Sequence, residues 1–195
     1  MPRGGVKRGG AHFEGLRAVD WYETVFELID MRSFSNLWFW IALAVMWSSV
    51  SHWVLGVPWD MVLRAKKKDA SEDAIRDLDD MVRINTNRIL YIVRESGLLL
   101  AGFACFILTV IFMVGFIYGK EFAQAVFLLG FPMSLVGLLS LRTARVIRAQ
   151  GLAGQDLYKR MYRHRLITQV IGMISIFVTA MWGMLQNMQT GVLGG

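Results

Sequence analysis

Four apolar runs alternate with charged connections along this chain. They extend from about Asn36 to Val57, Ser96 to Tyr118, Phe122 to Leu141 and Leu166 to Gln186. Each approaches the ~20 residues that a ~30 Å hydrocarbon core requires at 1.5 Å per residue. Lipid offers no hydrogen-bond partner to backbone N–H and C=O groups, so helix is the state these runs predict. The expected fold is an all-α integral membrane protein, a four-transmembrane-helix bundle whose helices extend into the cytoplasm. Residues 1–35 and 187–195 are then external tails.

The connections set the orientation. Only Gly119, Lys120 and Glu121 join the second and third runs, which predicts a tight hairpin. Residues 58–95 carry eight cations, among them Arg64, Lys66, Lys67 and Lys68. Residues 142–165 carry Arg142, Arg145, Arg148, Lys159, Arg160, Arg163 and Arg165 against the single acid Asp156. Lys and Arg are retained on the cytoplasmic side, so both connections are expected inside, with the termini and the Lys120 hairpin outside. Trp38, Trp40 and Trp182 then mark the outer interface, and Trp53 and Trp59 the inner one.

Both long connections read as helical. Ile75, Leu78, Val82, Asn85, Ile89 and Ile92 recur at spacings of three and four, a stripe with Asn85 as its polar interruption. Ser71 suits an N-cap, and Glu72 and Asp73 complement the first-turn dipole. No Gly or Pro intervenes before Ser96, so this helix is expected to continue into the second run. The third is expected to pass Arg142 as far as Gln150, to turn through Gly151–Gly154, and the fourth helix to begin near Gln155. Before the first run, Val19, Tyr22, Phe26 and Ile29 share a face beside Asp20, Glu23, Glu27 and Asp30. That pattern predicts an amphipathic helix at the outer interface, with Ser33 or Ser35 capping the first span.

Composition agrees with a lipid environment. Of 195 residues 55% are hydrophobic and 18% charged, with a mean hydropathy of +0.44. A net charge of +6 raises nucleic acid as a partner, but the cations flank apolar runs, so orientation in a bilayer explains them and no nucleic acid is expected. The lone Cys105 can neither form an intramolecular disulfide nor hold a metal centre alone. The basic, Gly-rich start has no apolar stretch directly after it, so no cleavable signal peptide is expected.

Several residues invite a chemical reading. His52, inside the inner end of the first run, is an intramembrane ionisable group; its structural role would be a neutral interhelical hydrogen bond. His164 lies near the same face, and the two suggest a bis-histidine haem, although cations flank His164. Pro132 predicts a kink that frees a carbonyl around Leu128. Small residues line one face of every run, as with Thr168, Gly172, Ser175, Thr179 and Gly183. Gly115 and Gly119 form a GxxxG suited to packing within the bundle or to dimerisation. The cations of 142–165 would anchor the bilayer face or dock anionic lipid or an acidic protein. Phosphate-loop, zincin and nucleophile-elbow motifs are absent from the sequence.

Residues 21–36 (WYETVFELIDMRSFSN), 130–137 (GFPMSLVG) and 169–182 (QVIGMISIFVTAMW) together resemble a small family of alphaproteobacterial inner-membrane proteins described as a component of the SufBCD complex. The resemblance implies an accessory to iron–sulfur cluster assembly in a bacterial inner membrane, acting as a membrane partner since one cysteine cannot scaffold a cluster. The expected function is a non-enzymatic multi-pass accessory or scaffold subunit without a cofactor, whose partners are the lipid bilayer and other membrane or cytoplasmic proteins. Alternatives are a small oligomeric transporter or channel with His52 lining the path, and a haem or quinone redox protein.

Overall fold

The computed structural model describes Phe34 and residues 37–67 and 69–192. The amphipathic stretch at 19–30 and the cap at Ser33 or Ser35 lie outside the described residues. Among the described residues five α-helices carry the fold: α1 (Leu37–His52), α2 (Trp59–Ala65), α3 (Glu72–Phe112), α4 (Glu121–Gln150) and α5 (Gly154–Val192). A π-helical turn, Met113–Ile117, extends α3. Two two-residue strands, β1 (Trp53–Val54) and β2 (Val57–Pro58), separate α1 from α2.

Among the described residues, three helices are long and apolar enough to cross a membrane: α3 with its π turn, α4 and α5. Four crossing segments are expected from the sequence, and the first of them differs in extent. Its helix stops at His52 after 16 residues, about 24 Å of rise, rather than continuing to Val57. The reason is a reversal. Trp53 pairs with Pro58 and Val54 with Val57 across Leu55 and Gly56, both at positive φ, 54° and 74°. That is the two-residue hairpin geometry normally reserved for Asn-Gly or Gly-Gly. Leucine there is disfavoured by the Cβ contact that makes left-handed backbone costly, yet burial of Leu55 offsets it.

Asn85 holds this turn, its Nδ2 donating to the Gly56 carbonyl at 3.0 Å. The polar interruption in the α3 stripe is thus an intramolecular clasp. Asn85→Ala is expected to cost about 1 kcal/mol, the usual net value of a hydrogen bond at a half-exposed site. Chemical denaturation of detergent-solubilised protein checks this, with unchanged stability as the contrary result.

Although α1 is short, it packs along the middle part of α5. At one end Arg165 Nε donates to the Ser51 carbonyl at 3.2 Å. Midway, Trp47 lies so close that a Cβ on Gly172 would be 2.8 Å from its Cε3. At the other end Gly183 touches Phe34, whose N–H donates to Glu121 Oε1 at 2.9 Å. Arg165 to Gly183 covers about 27 Å of α5, so α1 and Phe34 together follow α5 over nearly the ~30 Å of a hydrocarbon core. The small face of α5 is what admits them: Thr168, Ser175 and Thr179 are all buried.

The charged end has its own core. Ser71 caps α3 by accepting from Ala74 N–H, and the helix then runs unbroken for 41 residues. Leu78 and Val82 from its stripe pack with Val57, Val62, Ala144, Ile147, Leu157 and Met161. Gly151, left-handed at φ 56°, ends α4, and Leu152 N–H returns to the Ile147 carbonyl as a C-terminal cap. The contrast with the apolar half of α3 is sharp: no residue of its most apolar 18-residue stretch is buried.

Candidate functional site

The seven cations of 142–165 divide by what they touch. Arg165 is structural, donating to Ser51 and stacking its guanidinium 4.5 Å over the Trp59 ring. Arg148 is tied to α3, donating to Asn87 Oδ1 at 2.6 Å. Arg142 and Arg145 are exposed on α4. The remaining three, Lys159, Arg160 and Arg163, line one groove of about 420 Å³ with Val146, Gln150 and Asp156. Lys159 is paired with Asp156 at 3.4 Å, an exposed contact of little energetic weight. Arg160 is half-buried and its Nε is buried without a hydrogen-bond partner among the described residues. Burial, then the neighbouring charge of Arg163, holds the Arg160 guanidinium below its ordinary pKa. An unpartnered guanidinium nitrogen beside further cations is an environment that an anion would stabilise.

The two histidines occupy different surroundings. His52, expected to bond between helices, is exposed at the C-terminus of α1 and lies edge-on to Trp53, ring centroids 6.1 Å apart. No hydrogen bond to it forms among the described residues. The turn at Trp53 accounts for this, because the chain leaves the bundle seam one residue after His52. His164 is buried between α4 and α5, with Nδ1 3.1 Å from Thr143 Oγ1. Burial, reinforced by Arg160, pulls its pKa down to about 4, so it is neutral near pH 7. Among the described residues no group of three or more His, Cys, Asp or Glu could hold a metal ion, and Cys105 is exposed on α3.

Pro132 sits inside α4 without ending it. Lacking an N–H, it leaves the carbonyl four residues back without its helical donor. That carbonyl belongs to Leu128, and Ser175 Oγ of α5 stands 3.5 Å from it. Beside the pair is an apolar cavity of about 240 Å³ walled by Phe127, Phe131, Pro132, Leu135, Ile174 and Val178. The α4–α5 seam therefore carries a cationic groove at the charged end and an apolar cavity at its middle.

At the opposite end lies a polar chain that sequence reasoning missed. Trp182 Nε1 donates to Gln124 Oε1, and Gln124 Nε2 donates to the Gly115 carbonyl, both at 2.9 Å. Gln124 is buried, and the π turn at Met113–Ile117 presents the carbonyl it uses. The signal was an uncharged amide in an otherwise apolar run, easily passed over when only ionisable groups are sought. Gly115 of the GxxxG is used inside this chain: a Cβ there would be 2.8 Å from Gln124 N.

No known protein family, curated protein or solved structure matches the chain.

Proposed function

We propose that the protein is a non-enzymatic, multi-pass subunit of a bacterial inner membrane that binds other membrane proteins through the apolar half of α3. The carrying observation is how little of that half its own chain covers. Leu98 is 88% exposed, Leu99 76%, Phe103 66% and Phe106 63%, whereas the charged end is closed by a continuous core. Lipid alone would solvate these side chains, but Gly97, Ala101 and Ala104 interleave with them and permit close helix approach. Four crossings follow in this reading, because α1 and Phe34 together lie along about 27 Å of α5, from Arg165 to Gly183. The cation-rich end is cytoplasmic by the retention of Lys and Arg. A link to iron–sulfur assembly rests on the sequence resemblance alone.

The transporter reading draws less support. The carbonyl freed by Pro132 faces Ser175 and an apolar cavity rather than a polar path, and His52 is exposed rather than lining a seam. For a haem, His164 would have to leave Thr143 and a buried site beside Arg160.

Site-specific photo-crosslinking tests the proposal. With the crosslinker at Phe103 or Phe106, a discrete adduct to one and the same membrane protein is expected, absent when it stands at Arg88 of the charged end. Adducts to lipid only, at both positions, would remove the main support for a partner on this face.

A further inference from the structure

The two halves of the α4–α5 seam share one side of the bundle. Phe131, Leu135, Leu138 and Arg142 follow one another at helical spacings of three and four along α4, so they form a single stripe. Arg163, Ile167, Val170, Ile174 and Val178 do the same on α5. Each stripe is apolar at the middle of the bundle and cationic at the charged end. The side that packs on α1 is a different one, carrying Val136 on α4 and Gly172 on α5.

The spacing along the stripes matches half a bilayer leaflet pair. Pro132 and Arg142 stand about 15 Å apart along α4, and Arg163 and Ile174 a similar distance along α5. Half of a ~30 Å hydrocarbon core is also about 15 Å. If the cations lie at the headgroup level, the cavity at Pro132 is near the midplane, where an acyl chain ends. Arg160 adds the requirement for negative charge: its Nε is buried and unpartnered among the described residues, while Asp156 is engaged by Lys159.

We propose that this seam binds one anionic glycerophospholipid, its phosphate held by Arg160 and Arg163 and one acyl chain lying in the cavity at Pro132. The site rests on the membrane reading and adds a ligand class to it. Phosphate accepts charge-assisted hydrogen bonds from a guanidinium in a fixed planar geometry. The headgroup would supply the acceptor that Arg160 Nε lacks, and the inner leaflet is where anionic lipids concentrate. A zwitterionic lipid brings the same phosphate but also an ammonium group toward Lys159 and Arg163, and is disfavoured.

The test uses the full chain, extracted from membranes in mild detergent and delipidated. Phosphatidylglycerol and phosphatidylcholine are added in turn, with bound lipid counted by native mass spectrometry. One phosphatidylglycerol per chain is expected to bind about tenfold more tightly than phosphatidylcholine. The double variant Arg160→Gln, Arg163→Gln should lose that preference. The charge-matched control Arg88→Gln, Arg145→Gln, altered at exposed positions outside the groove, should keep it. Leu135→Trp, which fills the cavity and leaves the cations in place, should weaken lipid retention by about the same factor. Competition with inorganic phosphate separates the two sources of a phosphate group. Full displacement by millimolar phosphate, with Leu135→Trp silent, would mean a free-anion site and overturn the proposal. Equal loss in both double variants would do so too, reducing the effect to net charge. These failures leave the membrane reading intact as long as the chain fractionates with membranes; recovery in the soluble fraction without detergent would bring down both.

Discussion

Gly115→Val is expected to destabilise the detergent-solubilised protein by about 3 kcal/mol, the upper range for forcing extra carbon into a packed site. The neighbours a side chain would meet are backbone: Gln124 N at 2.8 Å and the Ala123 carbonyl carbon at 3.1 Å. They cannot rotate aside as a flexible side chain would. Relief requires the start of α4 to move away from the π turn, which also breaks the bond from Gln124 to the Gly115 carbonyl. Gly102→Ala and Gly137→Ala are the controls. Nothing lies within 4 Å of a Cβ at either position, so they should be neutral or slightly stabilising through helix propensity. Thermal unfolding followed by far-ultraviolet circular dichroism would report the difference. A Gly115→Val protein as stable as the controls would mean that the hairpin is looser than described. Because Gly115 serves this internal contact, its substitution should show as lost stability before any change in oligomer size.

The second large effect is on pH dependence. His164 is held neutral by burial first and by Arg160 second, its pKa lowered from 6.5 to about 4. An unfolded chain takes up this proton as pH falls through 6.5, whereas the folded one refuses it until about 4. Stability from this group is therefore fully present above pH 6.5, falls between 6.5 and 4, and levels off below. The whole change amounts to about 3 kcal/mol. Comparison of the wild type with His164→Gln isolates it, since carboxylates titrating in the same range contribute to both. Melting at pH 7.5 and pH 4.5 should show a steeper loss in the wild type. Parallel losses would assign acid sensitivity to other groups.

Much of the architecture was legible because lipid-length helices are a strong pattern. The cap at Ser71, the continuity of α3 through Ser96, the extension of α4 to Gln150 and the reversal at Gly151 all follow from local propensity and from the absence of breakers. The hairpin after His52 did not, because Leu55 adopts a backbone that its residue type disfavours. The packing of Val54, Leu55 and Val57 into the charged-end core, with the Asn85 bond to Gly56, overrides that preference. Asn85 was visible as an anomaly in a stripe, but its partner Gly56 lies 29 positions away in a turn that propensity does not reveal. The freed Leu128 carbonyl was inferable from Pro132; that Ser175 faces it was not. Composition likewise gave the cations as one cluster, whereas contacts separate Arg148 and Arg165, spent on structure, from Arg160 and Arg163.

The claim on which the rest depends is that α1, despite its 16 residues, crosses the bilayer along α5. Cysteine labelling decides it. In a Cys105→Ser background, single cysteines at Ala11, Ser71, Gly119 and Gln150 are exposed to a membrane-impermeant maleimide in intact and permeabilised cells. Four crossings predict that Ala11→Cys and Gly119→Cys label in intact cells, and that Ser71→Cys and Gln150→Cys label only after permeabilisation. Ala11→Cys labelling only after permeabilisation, together with Ser71→Cys, would mean that α1 does not cross and that the chain makes three passages.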